Sequence, residues 1–217
     1  MKNKLSNVWQ IENEFYSKSS PLRIRKIISH YEIFKKTLTV PGSIVECGVF
    51  KGNSLLRFII FRDILLNSKK KVFGFDVFGK FPSQKDKNDN KFANFHNKRI
   101  GVGISLATLV KRLKTKNLKN FSLIRGPIEK TLELFLKNNK KLKISFLHLD
   151  LDVYNPTFFA LEKLFKKVSK GGVILLDDYG KIRGATKATK DFLRKYKVKY
   201  KIQSTFIDRK LKFILKK

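Results

Sequence analysis

Short apolar runs alternate along the chain with longer segments that have the apolar spacing of amphipathic helices. The runs of strand length cover residues 43–48, 71–76, 121–125, 144–150 and 173–177. Near-continuous apolar strands that alternate with helices are typical of a parallel sheet covered by helices on both faces. The tail beyond Lys199 predicts two further strands, so we expect an α/β, Rossmann-like doubly wound sheet of seven strands.

Helices are expected between these strands, at residues 54–66, 104–113, 128–138, 156–168 and 187–196. The fourth has Asn155 in the N-cap position and Pro156 at the first helical position, where a missing N–H costs nothing. The pair Gly171-Gly172 predicts the end of that helix.

The same pattern predicts how the chain is organised. Residues 1–40 precede the first strand and are expected to form a helical extension, and residues 41–217 form the main domain. Within this domain, the polar stretch 78–103 is longer than an ordinary connection, which predicts a lid or an insertion.

Composition limits the possible partners and compartments. The 217 residues include 49 Lys and Arg against 17 Asp and Glu, a formal net charge of +32. Such a surface attracts the phosphates of a nucleic acid regardless of its base sequence, so the charge by itself is compatible with a nucleic-acid partner. A solvated Lys-rich surface is the favoured explanation of the charge, because the basic residues are spread along the chain and form no separate basic tail, so a nucleic-acid partner is not expected. The single cysteine, Cys47, excludes an intrachain disulfide, and no apolar stretch has the length of a membrane span or signal peptide, so we expect a cytoplasmic protein.

Ligands of such sheets bind at the carboxyl ends of the strands, so the residues that follow the strands should converge. After the first strand, the spacing acid-x-Gly-x-x-x-Gly offers a tight turn that a ligand can approach closely. A P-loop is excluded because Gly52 precedes Asn53-Ser54 rather than Lys-Ser/Thr. The spacing is similar to the first motif of S-adenosylmethionine-dependent methyltransferases, and an ordinary strand–turn–helix joint is the alternative. The candidate cofactor-binding residues are Glu46, Cys47, Gly48, Val49, Phe50, Gly52, Asn53 and Ser54.

Carboxylates close the other predicted strands. Asp76 ends the second strand, where it could accept hydrogen bonds from both hydroxyls of a ribose or cap a turn. Asp150 and Asp152 follow the fourth strand, and Asp177 and Asp178 follow the fifth. Carboxylates brought close together repel unless a cation intervenes, and oxygen-only ligands suit Mg²⁺. We expect Asp150, Asp177 and Asp178 to hold a divalent cation, with capping of turns as the alternative.

The chain contains three histidines. His30 lies in an N-terminal helical pattern, and His148 lies inside the fourth strand, where a core role is expected. His96 lies in the polar stretch that forms the candidate lid, where it could act as a general base if the lid closes.

Several segments together resemble the macrocin-type sugar O-methyltransferases, which methylate hydroxyls of deoxysugars in macrolide biosynthesis. The matching segments are Phe15-Tyr16, His30-Tyr31-Glu32, residues 41–52, residues 74–78, residues 149–157, Gly171-Gly172-Val173 and Asp177-Asp178-Tyr179-Gly180. The blocks Asp-x-Asp-x-Tyr-x-x-Thr and Asp-Asp-Tyr-Gly are the most specific. The sequence departs from the family at Gly79 and Lys80, where the family typically has an acid followed by glycine.

The resemblance implies the class I methyltransferase fold, S-adenosylmethionine as methyl donor and a divalent metal, usually Mg²⁺. It places donor binding in residues 46–54 and ribose binding at Asp76. The implied metal ligands are Asp150, Asp177 and Asp178. The candidates for the general base are Asp152, His96 and, in a double role, Asp150.

The resulting hypothesis is a Mg-dependent O-methyltransferase that acts on a hydroxyl of a sugar or glycan, whether free, nucleotide-linked or part of a natural product. The charge suggests a nucleic-acid methyltransferase as the alternative, although the Asn/Asp-Pro-Pro-Tyr/Phe block of base-methylating enzymes is absent. A non-catalytic binding protein on the same fold and a methyltransferase of catechol-like molecules also stay open. The N-terminal helices and the two-strand tail are the expected contacts of a homo-oligomer.

Overall fold

The computed structural model describes residues 2–67 and 69–217. Its strands are β1 (Ser43–Cys47), β2 (Val72–Asp76), β3 (Phe121–Arg125), β4 (Ile144–Leu149), β5 (Val168–Leu176), β6 (Ile202–Ser204) and β7 (Lys212–Leu215). They form a seven-stranded sheet in the order β3-β2-β1-β4-β5-β7-β6, in which β7 runs antiparallel to both β5 and β6 and the other neighbouring strands are parallel. The expected sheet of seven strands is therefore confirmed.

The helices are α1 (Lys2–Lys18), α2 (Pro21–Lys35), α3 (Asn53–Leu66), α4 (Lys87–Phe95), α5 (Leu106–Thr115), α6 (Ile128–Asn138), α7 (Tyr154–Leu164) and α8 (Arg183–Lys195). Helices α6, α7 and α8 cover one face of the sheet, and α2, α3 and α5 cover the other. The central strands are buried on both faces, as the near-continuous apolar runs predict. Among the described residues, no helix is long and apolar enough to cross a membrane.

Helix α2, within the predicted N-terminal extension, packs directly on the main domain. Ser20 caps its first turn by accepting a hydrogen bond from the Leu22 N–H at 3.3 Å. Ile33 and Phe34 are fully buried in the same cluster as Phe58 of α3. This packing fixes the polar side chains of α2 beside the end of β5.

The helix expected to start at Pro156 starts earlier, and its predicted cap is wrong. Helix α7 begins at Tyr154 with Val153 in the N-cap position. The Tyr154 N–H donates to Asp89 Oδ2 at 2.7 Å, so an acid from α4 replaces the expected Asn155 cap. Pro156 still lies in the first turn, where its missing N–H breaks no helical hydrogen bond.

The pair Gly171-Gly172 lies inside β5, so its predicted role at a helix end is also wrong. Gly171 has a φ of +76°, which favours glycine. The pairing of β5 with β4 shifts register near this point, as it does at a β-bulge. A 3-10 turn, Phe165–Lys167, ends the helical segment instead.

The last helix also starts before its predicted first residue, Lys187, because Gly184 allows close packing of its first turn. A Cβ at Gly184 would lie 2.6 Å from Asp89 Oδ1 and 2.8 Å from the Tyr154 nitrogen. Residues 78–103, the predicted lid, contain α4 and a π-helical turn, His96–Ile100. Asp89 therefore joins this insertion to the starts of α7 and α8.

Candidate active site

A cavity of about 610 Å³ lies at the carboxyl ends of the central strands. Phe50, Phe75 and Ile128 supply apolar wall, and residues 81–85 of the insertion line it from the side together with His96. The polar wall residues include Asp76, Asp150 and Asp152. A cavity of this size, mostly apolar with a few polar groups, fits a ligand the size of a nucleoside.

Asp76 organises the loop that follows β1. Its Oδ2 accepts hydrogen bonds from the N–H groups of Val49 and Phe50, at 2.7 Å and 2.9 Å. Its Oδ1 accepts a third, from the Phe78 N–H at 2.6 Å. The carboxylate therefore holds the loops after β1 and β2 together at the cavity wall.

The candidate residues of the loop after β1 divide into two groups. Gly48 and Phe50 line the cavity. Gly48 has a φ of +90°, and a Cβ there would overlap the Asp150 carbonyl oxygen, so only glycine fits beside the end of β4. Within the described structure, the others lie outside this wall: Glu46, Cys47, Val49, Gly52, Asn53 and Ser54. Glu46 is fully buried and accepts a hydrogen bond from the Ser54 hydroxyl.

Three carboxylates after β4 and β5 converge beside the cavity, and we call them the acid cluster. Asp150, Asp177 and Asp178 each place an oxygen within 4.8 Å of the others. The backbone N–H of Asp152 donates to Asp178 Oδ2 at 3.0 Å. Asp177 Oδ1 is buried and has no hydrogen-bond partner among the described residues. A largely buried, oxygen-only set suits a hard divalent cation.

Burial and repulsion raise the pKa of several of these carboxyl groups. Burial, followed by the charges of Asp177 and Asp178, raises the pKa of Asp150 well above its usual value. Burial and neighbouring carboxylates do the same to the pKa of Asp178. Burial and the charge of Asp150 raise the pKa of Asp152 to about 8. A bound cation would relieve this repulsion.

Comparison with known families identifies the chain. A sequence model of the macrocin O-methyltransferase (TylF) family matches residues 23–213. The chain belongs to this family. The match runs from α2 into β7 and includes the loop after β1, Asp76 and the acid cluster.

The chain is similar at low sequence identity to two O-methyltransferases. One is a demethyldecarbamoylnovobiocin O-methyltransferase from Streptomyces niveus, 25% identical over 172 residues that make up 77% of this chain and 63% of the relative. Another, from Streptomyces olivaceus, is an 8-demethyl-8-(2,3-dimethoxy-alpha-L-rhamnosyl)-tetracenomycin-C 4'-O-methyltransferase, 25% identical over 75% of this chain and 60% of the relative. The chain thus spans less than two thirds of the length of either. The crystal structure of CalS11, a calicheamicin methyltransferase, shows the same fold with a TM-score of 0.78 at 21% identity, covering 96% of this chain and 85% of that one.

This macrocin-type fold includes a basic residue that the sequence patterns did not single out. Lys26 of α2 places its Nζ 2.9 Å from Asp177 Oδ2. His30, one turn further along α2, places its Nε2 3.7 Å from Asp177 Oδ1. Burial opposes ionisation of Asp177, but His148, His30 and Lys26 hold its pKa well below the usual value. The only signal in the sequence is the helical spacing of Lys26 and His30, which many pairs in a Lys-rich chain share.

A second set of ligand-type groups, His30, His148 and Asp177, lies behind the acid cluster. Arg57 Nη1 lies 3.0 Å from His30 Nδ1, and because arginine only donates, His30 Nδ1 must accept. The proton of neutral His30 is then on Nε2, which cannot bind a metal in that tautomer. Burial lowers the pKa of His30 to about 3, and His148 Nδ1 lies 3.0 Å from Glu46 Oε1. This set is therefore an internal polar network that supports Asp177.

His96 lies on the cavity wall, as a member of the insertion, and packs among aromatic rings. Its ring centroid lies 5.0 Å from that of Phe50 and 5.3 Å from that of Phe81. Burial, with the charge of Lys51, lowers the pKa of His96, which favours a neutral imidazole. The structure therefore brings all three base candidates, His96, Asp150 and Asp152, to walls of the same cavity.

Proposed function

We propose that this chain is an S-adenosylmethionine-dependent O-methyltransferase that acts on a hydroxyl of a sugar or of a sugar-bearing natural product. The observation that carries the proposal is one cavity lined by Asp76, Asp150 and Asp152, in a member of the macrocin O-methyltransferase family. Both curated relatives are named as O-methyltransferases, and the name of one specifies a rhamnosyl group.

The donor is proposed to bind between the loop after β1 and Asp76. Asp76 Oδ1 accepts only one of the three loop hydrogen bonds, which leaves it a lone pair for a ribose hydroxyl. Gly48 and Phe50 would contact the donor from the cavity wall. The remaining candidates would shape the loop from behind: Glu46, Cys47, Val49, Gly52, Asn53 and Ser54.

A divalent cation, with Mg²⁺ as the simplest case, is proposed to bind Asp150, Asp177 and Asp178. The convergence of the three carboxylates and the repulsion within the acid cluster support this assignment. When bound, the donor supplies an electrophilic methyl group and the cation eases deprotonation of an acceptor hydroxyl. The protein's part is to hold the carboxylates beside the donor wall, so that the hydroxyl and the donor meet in a fixed geometry.

Asp152 is our first candidate for the general base. Its carboxyl lines the cavity, and a pKa of about 8 lets it accept a proton at mildly alkaline pH. His96, a neutral imidazole in the insertion, is the second candidate. Asp150, which would also bind the cation, is the third. The pH profile of turnover in Asp152→Asn and in His96→Gln decides between the first two candidates. Only the variant that lacks the general base should lose the pH dependence of turnover.

The test uses purified protein, labelled donor, Mg²⁺ and a panel of sugars and glycosides, read by mass gain of one methyl group. Asp177→Asn is expected to lower turnover by about a hundredfold or more while leaving donor affinity within about threefold. Glu133→Gln, which removes an exposed acid that does not line the cavity, is the matched control and keeps full activity. Full activity of the wild type in EDTA would refute the cation assignment, and failure to bind the donor in calorimetry would refute the methyltransferase activity.

A further inference from the structure

A second hollow, of about 500 Å³, lies on the surface beside the acid cluster. It is bounded by the turn that follows β5 and by the first turns of α8. Four basic residues and one acidic residue contribute to its walls: Lys181, Arg183, Lys187, Lys190 and Asp191. We call it the basic hollow.

The acidic member of the basic hollow is already paired. Asp191 accepts hydrogen bonds from Lys187 Nζ at 2.5 Å and from Arg194 Nη2 at 3.1 Å. Arg183 and Lys190, in contrast, form no ion pair with any side chain in the described part of the chain. The basic hollow therefore keeps positive charge that its own walls do not neutralise.

The backbone around the basic hollow is held in place. The Gly180 N–H donates to Thr186 Oγ1 at 2.9 Å, which ties the turn to α8. Helix α8 starts after Ile182 without a side-chain cap, so the positive end of its dipole adds to the charge of the lysines and arginine. Arg183 and Lys190 lie two turns apart on the same face of this helix.

Lys181 connects the basic hollow with the acid cluster. It lines the basic hollow, and its Nζ lies 3.9 Å from Asp177 Oδ2. Lys181 thus links the two charged surfaces, and a ligand that carries both an anionic group and a hydroxyl has the chemistry that matches both. An uncharged sugar would not use the basic side chains, and a bare anion would not use the carboxylates.

We propose that the basic hollow binds the phosphate of a phosphate-bearing sugar acceptor, whose ring hydroxyl then reaches the acid cluster. This inference rests on the proposed function and narrows its substrate class. Charge-assisted hydrogen bonds from Arg and Lys to phosphate oxygens are among the stronger polar contacts, and the arginine fork matches phosphate geometry. Sugar 1-phosphates and nucleoside diphosphate sugars both carry a phosphate joined to the sugar, and their KM values distinguish them.

The first test measures binding alone, without methyl transfer. Inorganic pyrophosphate is titrated by calorimetry, at physiological salt and without Mg²⁺, into the wild type and the double variant Arg183→Gln/Lys190→Gln. The control, Arg112→Gln/Lys116→Gln, removes the same charges from an exposed residue of α5 and from the exposed residue that caps its C-terminus. We expect about tenfold weaker binding in the first variant and no change in the control. Equal binding by all three proteins would overturn the proposal.

The second test compares acceptors that share one sugar: the methyl glycoside, the 1-phosphate and the nucleoside diphosphate sugar. We expect Arg183→Gln/Lys190→Gln to raise the KM for both phosphorylated acceptors about tenfold and to leave the KM for the glycoside unchanged. The lower of the two phosphorylated KM values in the wild type identifies the source of the phosphate. A wild type that methylates only the glycoside overturns the inference and leaves the proposed function intact. A wild type that methylates nothing refutes the proposed function and with it the acceptor role, and the pyrophosphate titration then shows separately whether the basic hollow binds phosphate.

Discussion

Lys26 Nζ lies 2.9 Å from Asp177 Oδ2, so a helix that precedes the sheet in sequence supplies a cation to the acid cluster. Burial opposes the charge on Lys26, but Asp177, followed by Asp150, outweighs it and raises the pKa of Lys26. The ammonium group and a divalent cation would therefore compete for the negative charge of the same carboxylates. Helix α2 is part of the candidate site as well as of the fold.

Lys26→Met is expected to increase the stabilisation that Mg²⁺ gives. Without Mg²⁺, the variant leaves Asp177 with fewer partners and should lose about 1–2 kcal/mol of unfolding free energy. With Mg²⁺, loss of a repelling charge strengthens cation binding, so the rise in Tm on adding Mg²⁺ should exceed that of the wild type. Lys35→Met, an exposed lysine on the same helix, is the control. Equal Mg²⁺-induced shifts in all three proteins would contradict this prediction.

The sheet and the strand-end acids were predictable because each depends on local sequence. Apolar runs specify buried strands, and the carboxyl ends of parallel strands meet at one edge, so Asp76, Asp150 and Asp177 come together. Lys26 was not predictable in this way. Its position depends on how Phe34 and its neighbours pack α2 on the sheet, and that packing leaves no periodic signal in the sequence.

The errors at the helix ends have the same origin. A glycine pair signals a helix C-terminus or a bulge with equal force, and the choice at Gly171 is made by pairing with β4 and β7. The start of α7 was misplaced because its N–H partner is Asp89, which lies 65 residues away in sequence. Tertiary contacts replaced the local capping rule at both positions.

Asp76→Asn is expected to weaken donor binding by about tenfold or more. Its two carboxylate oxygens together accept three hydrogen bonds from backbone N–H groups. In asparagine an NH2 group replaces one of these oxygens, and because it is a donor it cannot accept from an N–H. The loop after β1 should then move from the donor wall. Calorimetry with S-adenosylmethionine measures the change. The control is Asp86→Asn, which makes the same change at an exposed N-cap of α4 where Asn caps about as well, and which should leave donor affinity unaltered.

Asp89→Ala is expected to loosen the insertion. The change leaves the Tyr154 N–H unpaired and removes a buried contact beside Gly184, which should cost about 1 kcal/mol of stability. Hydrogen exchange of residues 87–100 should accelerate, because this carboxylate ties α4 to α7. Asn88→Ala, an exposed neighbour on α4, is the control. Unchanged protection in the Asp89 variant would show that other contacts hold the insertion closed.

His148 makes the stability of the fold depend on pH in the alkaline range. A comparison of His148→Gln with His30→Gln isolates this effect. Burial disfavours its imidazolium form, but Asp177 and Glu46 outweigh burial and raise its pKa to about 10. Because this value lies above the ordinary 6.5, the stabilising contribution is complete below pH 6.5 and is lost as pH rises through about 10. The difference in unfolding free energy between the wild type and His148→Gln, measured with urea in EDTA, should therefore shrink from pH 7.5 to 10. The pKa of His30 is about 3, so both its folded and unfolded forms are neutral over this range, and the difference for His30→Gln should stay flat. A constant difference for His148→Gln would mean that this histidine is neutral in the folded protein.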